Sequence, residues 1–520
     1  MGFASALVLA VLICNPSLAF ADSSLYLGKL LSEQSSTYIG SSVDIKSGQD
    51  PLQLNISEHT DKALRYVSTK AGSSDYTAIN EEGVVISFIA SDEIKPKLAE
   101  VDSFDDNAQD MHALMNQAIV KAKSASEAVD IIGEAIDAHG CNSNCSWQCW
   151  VADKYGAWLF TDFSAQHWLA IKCPDLGISA DSNIMSLSHK LNLDAPKNAE
   201  ERKAALTKFS LNLVPFAKEH GIDRYFSDGT FNVFSSYGKP ATQKQMNELY
   251  SAIEYFAPHV SDSIKESSEL NPALFFIPVD INEKFNTGQM IDYINKRSAA
   301  SSVKDIIQIR DVSTTEGLDI TLWEGISESK QCLFLPVYAQ LLDKAPSYDK
   351  TVEQKSIYQL CDDIHKKLDS LDAKGASQPR EAVEKSLASA QEALVAQQAR
   401  IDHGMDSVID PKDVQSLVPQ ITSTVFNTTY SYLASIDQHL AAYEKKGDFT
   451  SSLNLDDLPS MEYADTYLDK NDYIADPSIR SVRIGITEET EGSKKSSKAI
   501  VSTVLILVAA SFVVYKVRTK

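Results

Sequence analysis

The chain has 520 residues, of which 43% are hydrophobic and 23% are charged, and its formal net charge is −23 at pH 7. This charge argues against nucleic acid as a partner and against binding of the folded body to anionic lipid, because both ligands are polyanionic. The hydrophobic content is sufficient for one large or two ordinary globular domains.

The N-terminal segment has the pattern of a secretory signal peptide. Residues Ala4 to Cys14 form an apolar run that is too short to span a bilayer, and Ala19 and Ala21 place small residues at the −3 and −1 positions of a signal-peptidase site. We therefore expect cleavage after residue 21, which makes Asp22 the mature N-terminus. No Lys or Arg precedes the apolar run, so retention of the segment as an anchor is the alternative.

The globular part begins with predicted strands and continues with predicted helices. Residues 22–45 and 76–91 alternate apolar and polar side chains between Gly and Ser clusters, which is typical of short β-strands. Helical spacing over residues 111–139 predicts one helix, and strands return between residues 149 and 186. Further helices are predicted over residues 199–219, 243–256 and 381–402. Because strands and helices are grouped, the pattern favours an α+β layered fold over a doubly wound parallel sheet.

Six cysteines remain after removal of the signal peptide, and three of them form the cluster Cys141, Cys145 and Cys149. Outside the cytoplasm an even number favours disulfides, so we expect one or more bridges from this cluster, with free thiols as the alternative. A zinc site with His139 and His167 is disfavoured, because the two-residue spacing of zinc knuckles is absent. The chain also has no Walker loop, His-Glu-x-x-His motif or dinucleotide fingerprint. We expect no metal and no cofactor.

Aromatic residues are concentrated in the predicted central strands. We expect Trp147, Trp150, Trp158 and Trp168 to belong to the hydrophobic core, because large aromatic side chains supply most of their energy through burial. His167 precedes one of these tryptophans. We expect it to be packed and hydrogen-bonded and not catalytic.

The C-terminal region has the composition of a membrane tether. Residues 451–498 are rich in Ser, Asp, Glu and Lys, which is typical of a polar stalk. Residues 499–515 carry no charge, and at about 1.5 Å per residue a helix of this length spans a bilayer if flanking lysines reach the interfaces. The predicted organisation is therefore a signal peptide (1–21), a globular domain (22–450), a stalk (451–498), a transmembrane helix (499–515) and a short basic cytoplasmic tail (516–520). The globular domain is expected in the periplasm, at the cell surface or in a secretory lumen.

The segment after the signal peptide carries several short motifs in a fixed order. It reads D-S-S-L-Y-L-G-K from Asp22, continues with S-T at position 36 and ends with V-D at Asp44. These residues resemble the opening of the dipeptidase A family of N-terminal-nucleophile (Ntn) cysteine peptidases, which runs from Cys-Thr-Thr through Gly-Lys and Ser-Thr to Arg-Asn-Glu-Asp. Without any gap, Asp22 lies at the position of the family's nucleophile, Ser41 at that of the arginine, and Asp44 at that of the aspartate.

The resemblance continues along residues 22–450. Residues 79–84 are similar to the family's Asn-Glu-x-Gly turn and residues 125–140 to its helix, while W-E-G at residues 323–325 is similar to a later strand. Asn183 looks like the asparagine that such sites contribute. The resemblance implies a four-layered αββα Ntn-hydrolase fold and hydrolysis of dipeptides. In this mechanism the N-terminal thiol attacks the carbonyl and the freed α-amine acts as the base.

Two of the implied catalytic parts are replaced in this chain. A carboxylate at Asp22 is a weak nucleophile toward amides, because attack would give a high-energy anhydride, and Ser41 cannot supply a guanidinium charge. We therefore expect a membrane-tethered, catalytically impaired family member whose ligands are dipeptides or small amides. One alternative is an active hydrolase in which trimming exposes Ser23 as the nucleophile, with Asp44 and Asn183 keeping their roles. Another is a non-catalytic surface binding protein.

Overall fold

The structure is a computed structural model that describes a defined set of residues. These are residues 21–44, 53–71, 74–180, 190–191, 198–239, 243–259, 277, 279–280, 282–297, 302–310, 318–327, 333–341, 357–405 and 411–446. Asn183, the stalk, the apolar run at 499–515, the tail and the signal peptide upstream of residue 21 lie outside them. Within the described ranges, no helix combines the length and the hydropathy that a membrane crossing needs.

The described strands belong to two large antiparallel sheets and one small one. The strands are β1 Ala21–Leu27, β2 Ser36–Asp44, β3 Gln53–Ile56, β4 Tyr66–Ala71, β5 Ser74–Asn80, β6 Val85–Glu93, β7 Cys145–Asp153, β8 Gly156–Asp162, β9 Trp168–Lys172, β10 Ile178–Ser179, β11 Lys190–Leu191, β12 Thr207–Phe209, β13 Phe231–Asn232, β14 Ser302–Arg310, β15 Ile320–Ser327 and β16 Phe334–Tyr338. The six-stranded sheet has the order β10-β1-β2-β14-β15-β16, and the eight-stranded sheet has the order β12-β9-β8-β7-β6-β5-β4-β3. Strands β11 and β13 pair separately.

Helices cover the outer faces of both sheets. They are α1 Pro96–Val101, α2 Met111–Ile119, α3 Ala125–His139, α4 Ala199–Ala204, α5 Leu213–Glu219, α6 Val233–Tyr237, α7 Gln243–Phe256, α8 Thr287–Arg297, α9 Ile357–Ala373, α10 Gln378–Met405 and α11 Pro411–Lys446. Helices α2 and α3 pack on the eight-stranded sheet, α8 packs on β1, β2 and β14, and β1 and β2 contact β6 between the sheets. This arrangement confirms the α+β class, with two large antiparallel sheets.

The six-stranded sheet is buried on both faces, and strand β14 shows how its sequence achieves this. Side chains alternate across a strand. Ile307 and Ile309 therefore join the core that faces the eight-stranded sheet, while Ile306 joins the core beneath α7 and α8. A strand of this kind is apolar on both faces, so a polar side chain within it is buried whichever way it points.

The predicted helix over residues 111–139 is two helices. The first helix ends at Ile119, and Ser124 caps the second, because its Oγ accepts the backbone N–H of Glu127 at 3.2 Å. The Glu127 carboxylate accepts the backbone N–H of Lys123 at 2.9 Å. These bonds are similar to a capping box, with the N–H of Lys123 in place of that of Ser124, and they start a new helix at Ala125.

The prediction of one helix over residues 199–219 is also wrong. Helix α4 ends at Ala204, residues Thr207–Phe209 form strand β12 along the edge of β9, and α5 begins at Leu213. The edge of β9 supplies ladder hydrogen bonds that a helical pattern does not reveal. Lys208 fixes this strand, since its Nζ lies 2.8 Å from both carboxylate oxygens of Asp130 on α3.

The expected disulfides do not form among the described cysteines. Cys141, Cys145, Cys149, Cys173 and Cys361 are all buried thiols, and Cys332 lies outside the described residues. Cys145 and Cys149 occupy one rigid strand four residues apart, about 13 Å, which is too far for a disulfide. Burial raises the pKa of the Cys149 thiol well above its usual range, so this thiol stays protonated.

Candidate functional site

The positions that match the family's nucleophile and arginine lie on neighbouring strands. Strand β1 pairs with β2 so that Ser23 is opposite Ser42. The register shifts between Ala21 and Ser23, which makes Asp22 the extra residue of a bulge, a feature that re-aims the chain at the end of a strand. The backbone at the predicted nucleophile position is therefore irregular.

The other predicted site residues are distributed around this strand end. Ser41 lies on β2, and Asp44 is the last residue of β2, opposite Ser302 of β14. Asn183 is outside the described residues, although Ile178–Ser179, which precede it, pair with β1. The structure thus brings Asp22, Ser23, Ser41 and Asp44 to two adjacent strands. Their catalytic roles stay predictions.

A row of buried polar residues crosses four strands at the level of Ser41. In the sheet register Ser24 is opposite Ser41, Ser41 is opposite Asp305, and Asp305 is opposite Glu324. Each of the four is at most 2% exposed. Strand alternation places them on the face toward the eight-stranded sheet, together with the core isoleucines of β14. We call Ser24, Ser41, Asp305 and Glu324 the inter-sheet polar row.

Hydroxyl groups of the eight-stranded sheet face this row. Thr69, Thr77 and Ser87 are opposite one another on β4, β5 and β6. The Ser87 Oγ lies 3.2 Å from the Ser41 Oγ and 3.1 Å from the Thr77 Oγ1. Because these distances are those of hydrogen bonds, hydroxyls join the two sheets directly at this point.

The inter-sheet polar row is acidic. Burial raises the pKa of Asp305 to about 7, and the hydroxyls of Thr77 and Thr69 oppose this rise only in part. The Asp305 Oδ1 atom is buried without a hydrogen-bond partner. The neighbouring cation, Lys304, alternates to the other face, where its Nζ donates to Asn295 Oδ1 at 3.0 Å. A carboxyl in such surroundings is stabilised by a proton or by a ligand cation.

Sequence reasoning missed Asp305 and Glu324 as site residues. Asp305 lies in V-K-D-I-I, directly after Lys304, and Glu324 lies in the apolar stretch L-W-E-G. Burying an acidic residue inside a strand costs free energy, so an acid within a buried strand indicates a polar site and could have identified these two residues. Only the spatial register connects it with Ser41, which is more than 260 positions away.

His167 and the tryptophans have the packed roles that were predicted. The His167 Nδ1 lies 2.8 Å from Asp102 Oδ2, and its ring centroid is 4.1 Å from that of Phe216. The four tryptophans are at most 4% exposed, namely Trp147, Trp150, Trp158 and Trp168. Across the described part of the chain, no group of three or more His, Cys, Asp or Glu side chains is arranged to hold a metal ion.

A comparison with protein families finds a match to part of the chain. The model of peptidase family C69 matches residues 34–275. The matched segment includes Ser41, Asp44 and the whole eight-stranded sheet, begins after Asp22 and ends before Asp305. A comparison with curated proteins finds no match. Over residues 34–275, therefore, the chain is similar to peptidase family C69, the dipeptidase A family that its motifs resemble.

Proposed function

We propose that this protein is a membrane-tethered, extracytoplasmic member of peptidase family C69 that binds dipeptides or small amides and does not cleave them by a thiol mechanism. One observation carries the proposal. At the position of the family's arginine, Ser41 is 2% exposed, bonded to Ser87 and opposite the carboxyl of Asp305. A cation is thus replaced by a hydroxyl beside buried acids.

The change of charge opposes the family's chemistry. Acyl transfer by an N-terminal thiol develops negative charge first on sulfur and then on the carbonyl oxygen. A guanidinium would stabilise both charges, because charges interact strongly where the effective dielectric constant is low, whereas the hydroxyl of Ser41 carries no positive charge. Asp22 also supplies neither a thiol nor a hydroxyl at the nucleophile position.

The same acidity supports binding of an amine. The free α-ammonium of a dipeptide is a compact cation, and a buried carboxyl with an unsatisfied oxygen, as in Asp305, gains a charge-assisted hydrogen bond when it pairs with such a group. Peptides are the substrate class of the family. The site therefore favours dipeptides with a free N-terminus over N-acylated ones.

The first experiment is mass spectrometry of the mature N-terminus, combined with thermal shift and amino-acid release assays on a dipeptide panel. We expect a start at Asp22 and stabilisation by dipeptides without turnover. Release of amino acids, abolished in Ser23→Ala and retained in the matched Ser42→Ala, would replace this proposal with the serine hydrolase. Absence of both stabilisation and turnover across the panel would refute peptide binding.

A restoration experiment tests the role of charge directly. Asp22→Cys alone restores the thiol but leaves the acidic row, so we expect it to stay inactive. Adding Ser41→Arg restores the cation and should raise dipeptide hydrolysis above that of Asp22→Cys, since one donor to a developing oxyanion contributes roughly 10²–10³ in kcat. Equal activity in the single and double variants would show that the charge at position 41 is irrelevant.

A further inference from the structure

A polar cavity lies on the helix-covered face of the six-stranded sheet, opposite the face that carries the inter-sheet polar row. Its volume is about 210 Å³, the space of roughly seven water molecules. The floor is formed by strands β14 and β15 and one wall by helix α10. We call it the helix-side cleft; it is lined by Gln34, Thr287, Gln308, Arg310, Trp323, Val395, Gln398, Ala399 and Asp402.

Among the described residues that line the cleft, Arg310 is the cation and Asp402 is the anion. Arg310 is 7% exposed and Asp402 is 8% exposed. The Arg310 guanidinium is anchored by the carbonyl of Leu318, to which its Nε donates at 3.1 Å. Its Nη2 lies 4.0 Å from Asp402 Oδ1, which is longer than a hydrogen bond. The two charges therefore attract each other while both border the cavity.

The carboxylate of Asp402 is held in place by its neighbours. The Gln398 Nε2 donates to Asp402 Oδ1 at 2.8 Å, and the Tyr338 hydroxyl also donates to this oxygen. Burial, and after it the charge of Asp402, raises the pKa of Tyr338 well above its usual range, so the hydroxyl keeps its proton. The anion is thus fixed in position before any ligand arrives.

The remaining walls combine apolar surface with neutral hydrogen-bonding groups. Trp323 is 1% exposed, and its indole N–H donates to Gln308 Oε1 at 3.3 Å, which fixes the plane of the ring. Val395 is half-buried on α10, and Ala399 and Gln34 are exposed at the opening. The cleft is therefore preorganised, partly apolar and open to solvent on one side, which are general properties of small-molecule sites.

We propose that the helix-side cleft binds a small zwitterion with an apolar side chain, of the chemical class of a free α-amino acid. The charges of the described lining residues sum to zero, so a zwitterion complements both Arg310 and Asp402, whereas a ligand with one net charge complements only one of them. A zwitterion presents a carboxylate to Arg310 and an ammonium to Asp402, and its side chain packs against Trp323. This inference does not rest on the proposed function, because the inter-sheet polar row lies on the other face of the sheet.

The test uses three probes that share the leucine side chain and differ in charge, namely leucine, N-acetylleucine and leucinamide, titrated into the full chain by calorimetry at pH 7. Leucine should bind. The two singly charged analogues should bind at least about tenfold more weakly, because each offers a countercharge to only one of Arg310 and Asp402, and a tenfold difference corresponds to roughly 1.4 kcal/mol. Equal affinity for leucine and either analogue, or no saturable binding of leucine, overturns the proposal.

Two substitutions on helix α10 test whether leucine binds in the helix-side cleft. Ala399→Phe fills the mouth of the cleft without touching its charges and should abolish leucine binding. Ala396→Phe, also exposed on α10 but away from the cleft, should leave it unchanged. Leucine binding that survives Ala399→Phe would contradict this location. Dipeptide stabilisation should survive Ala399→Phe, so a failure of the cleft and a failure of the inter-sheet site are distinguishable.

Discussion

The two faces of the six-stranded sheet bury polar groups in different ways, although the same two strands build both. Strand β14 contributes Asp305 to the inter-sheet polar row and Arg310 to the helix-side cleft, while β15 contributes Glu324 and Trp323 respectively. The inter-sheet row combines two acids with hydroxyls and is closed by a bond between sheets. The helix-side cleft pairs an acid with a base and is open.

This difference separates two consequences of burial. Where charge is unbalanced, the protein favours the protonated form of a carboxyl, and its stability then depends on pH. Where charge is balanced, each charge stabilises the other, and removing only one of them destabilises the protein. Removing a buried charged group should therefore lower the free energy of unfolding on one face of the sheet and raise it on the other.

The largest effect is expected from Arg310→Met. This change leaves the carboxylate of Asp402 buried without its cation, so we expect the free energy of unfolding to fall by about 3–5 kcal/mol. Urea denaturation at pH 7 measures it. The control is Lys296→Met, which removes an exposed i,i+4 ion pair with Asp292 and should cost no more than about 0.5 kcal/mol. Equal losses in both variants would contradict the charge balance of the cleft.

Asp305→Asn should instead raise the free energy of unfolding at high pH. The pKa of Asp305 in the folded protein, about 7, lies above that of an unfolded carboxyl. The folded protein therefore holds this proton more tightly between about pH 4 and pH 7. The wild type loses the corresponding stability as the pH rises through this window, and the amide, which does not ionise, loses none.

At pH 8 we expect Asp305→Asn to be more stable than the wild type by about 2–4 kcal/mol. Below pH 4 the two proteins should differ little. Urea denaturation across the pH range measures both quantities, and Asp106→Asn, on an exposed residue, should leave the pH profile unchanged. A destabilised Asp305→Asn at pH 8 would mean that the carboxylate is ionised and compensated in the folded state.

The sequence predicts the local elements of this sheet better than its sites. The strands around Ser41 follow from alternation and turn residues, and the tryptophans of β7, β8 and β9 follow from size and hydrophobicity. The helix start at Ser124 is also a local feature, because the S-x-x-E pattern is typical of a helix N-terminus and predicts two helices in place of one. By contrast, β12 forms because it pairs with the edge of β9. This pairing depends on tertiary structure, so the local sequence does not predict it.

The candidate sites depend on register between strands far apart in the chain. Nothing near Ser41 in the sequence indicates that Asp305 will lie opposite it, and nothing near Arg310 indicates Asp402. An isolated acid in an apolar strand shows that a polar site exists but does not identify its partners. The family resemblance directed attention to Asp22 and Asp44, whereas the acidic centre of the row comes from a part of the chain beyond the matched segment.

The smallest effect is expected from Ser41→Ala, which tests how tightly the inter-sheet polar row is closed. The change removes the hydroxyl bond to Ser87, but the Ser87 hydroxyl keeps Thr77 as a partner, so the cost should be about 1 kcal/mol. The adjacent Ser42 is a matched control, because its Oγ is buried without a hydrogen-bond partner. Ser42→Ala should therefore be neutral or slightly stabilising in urea denaturation. Equal costs at both positions would show that packing, and not the hydroxyl contact between the sheets, determines stability along this strand.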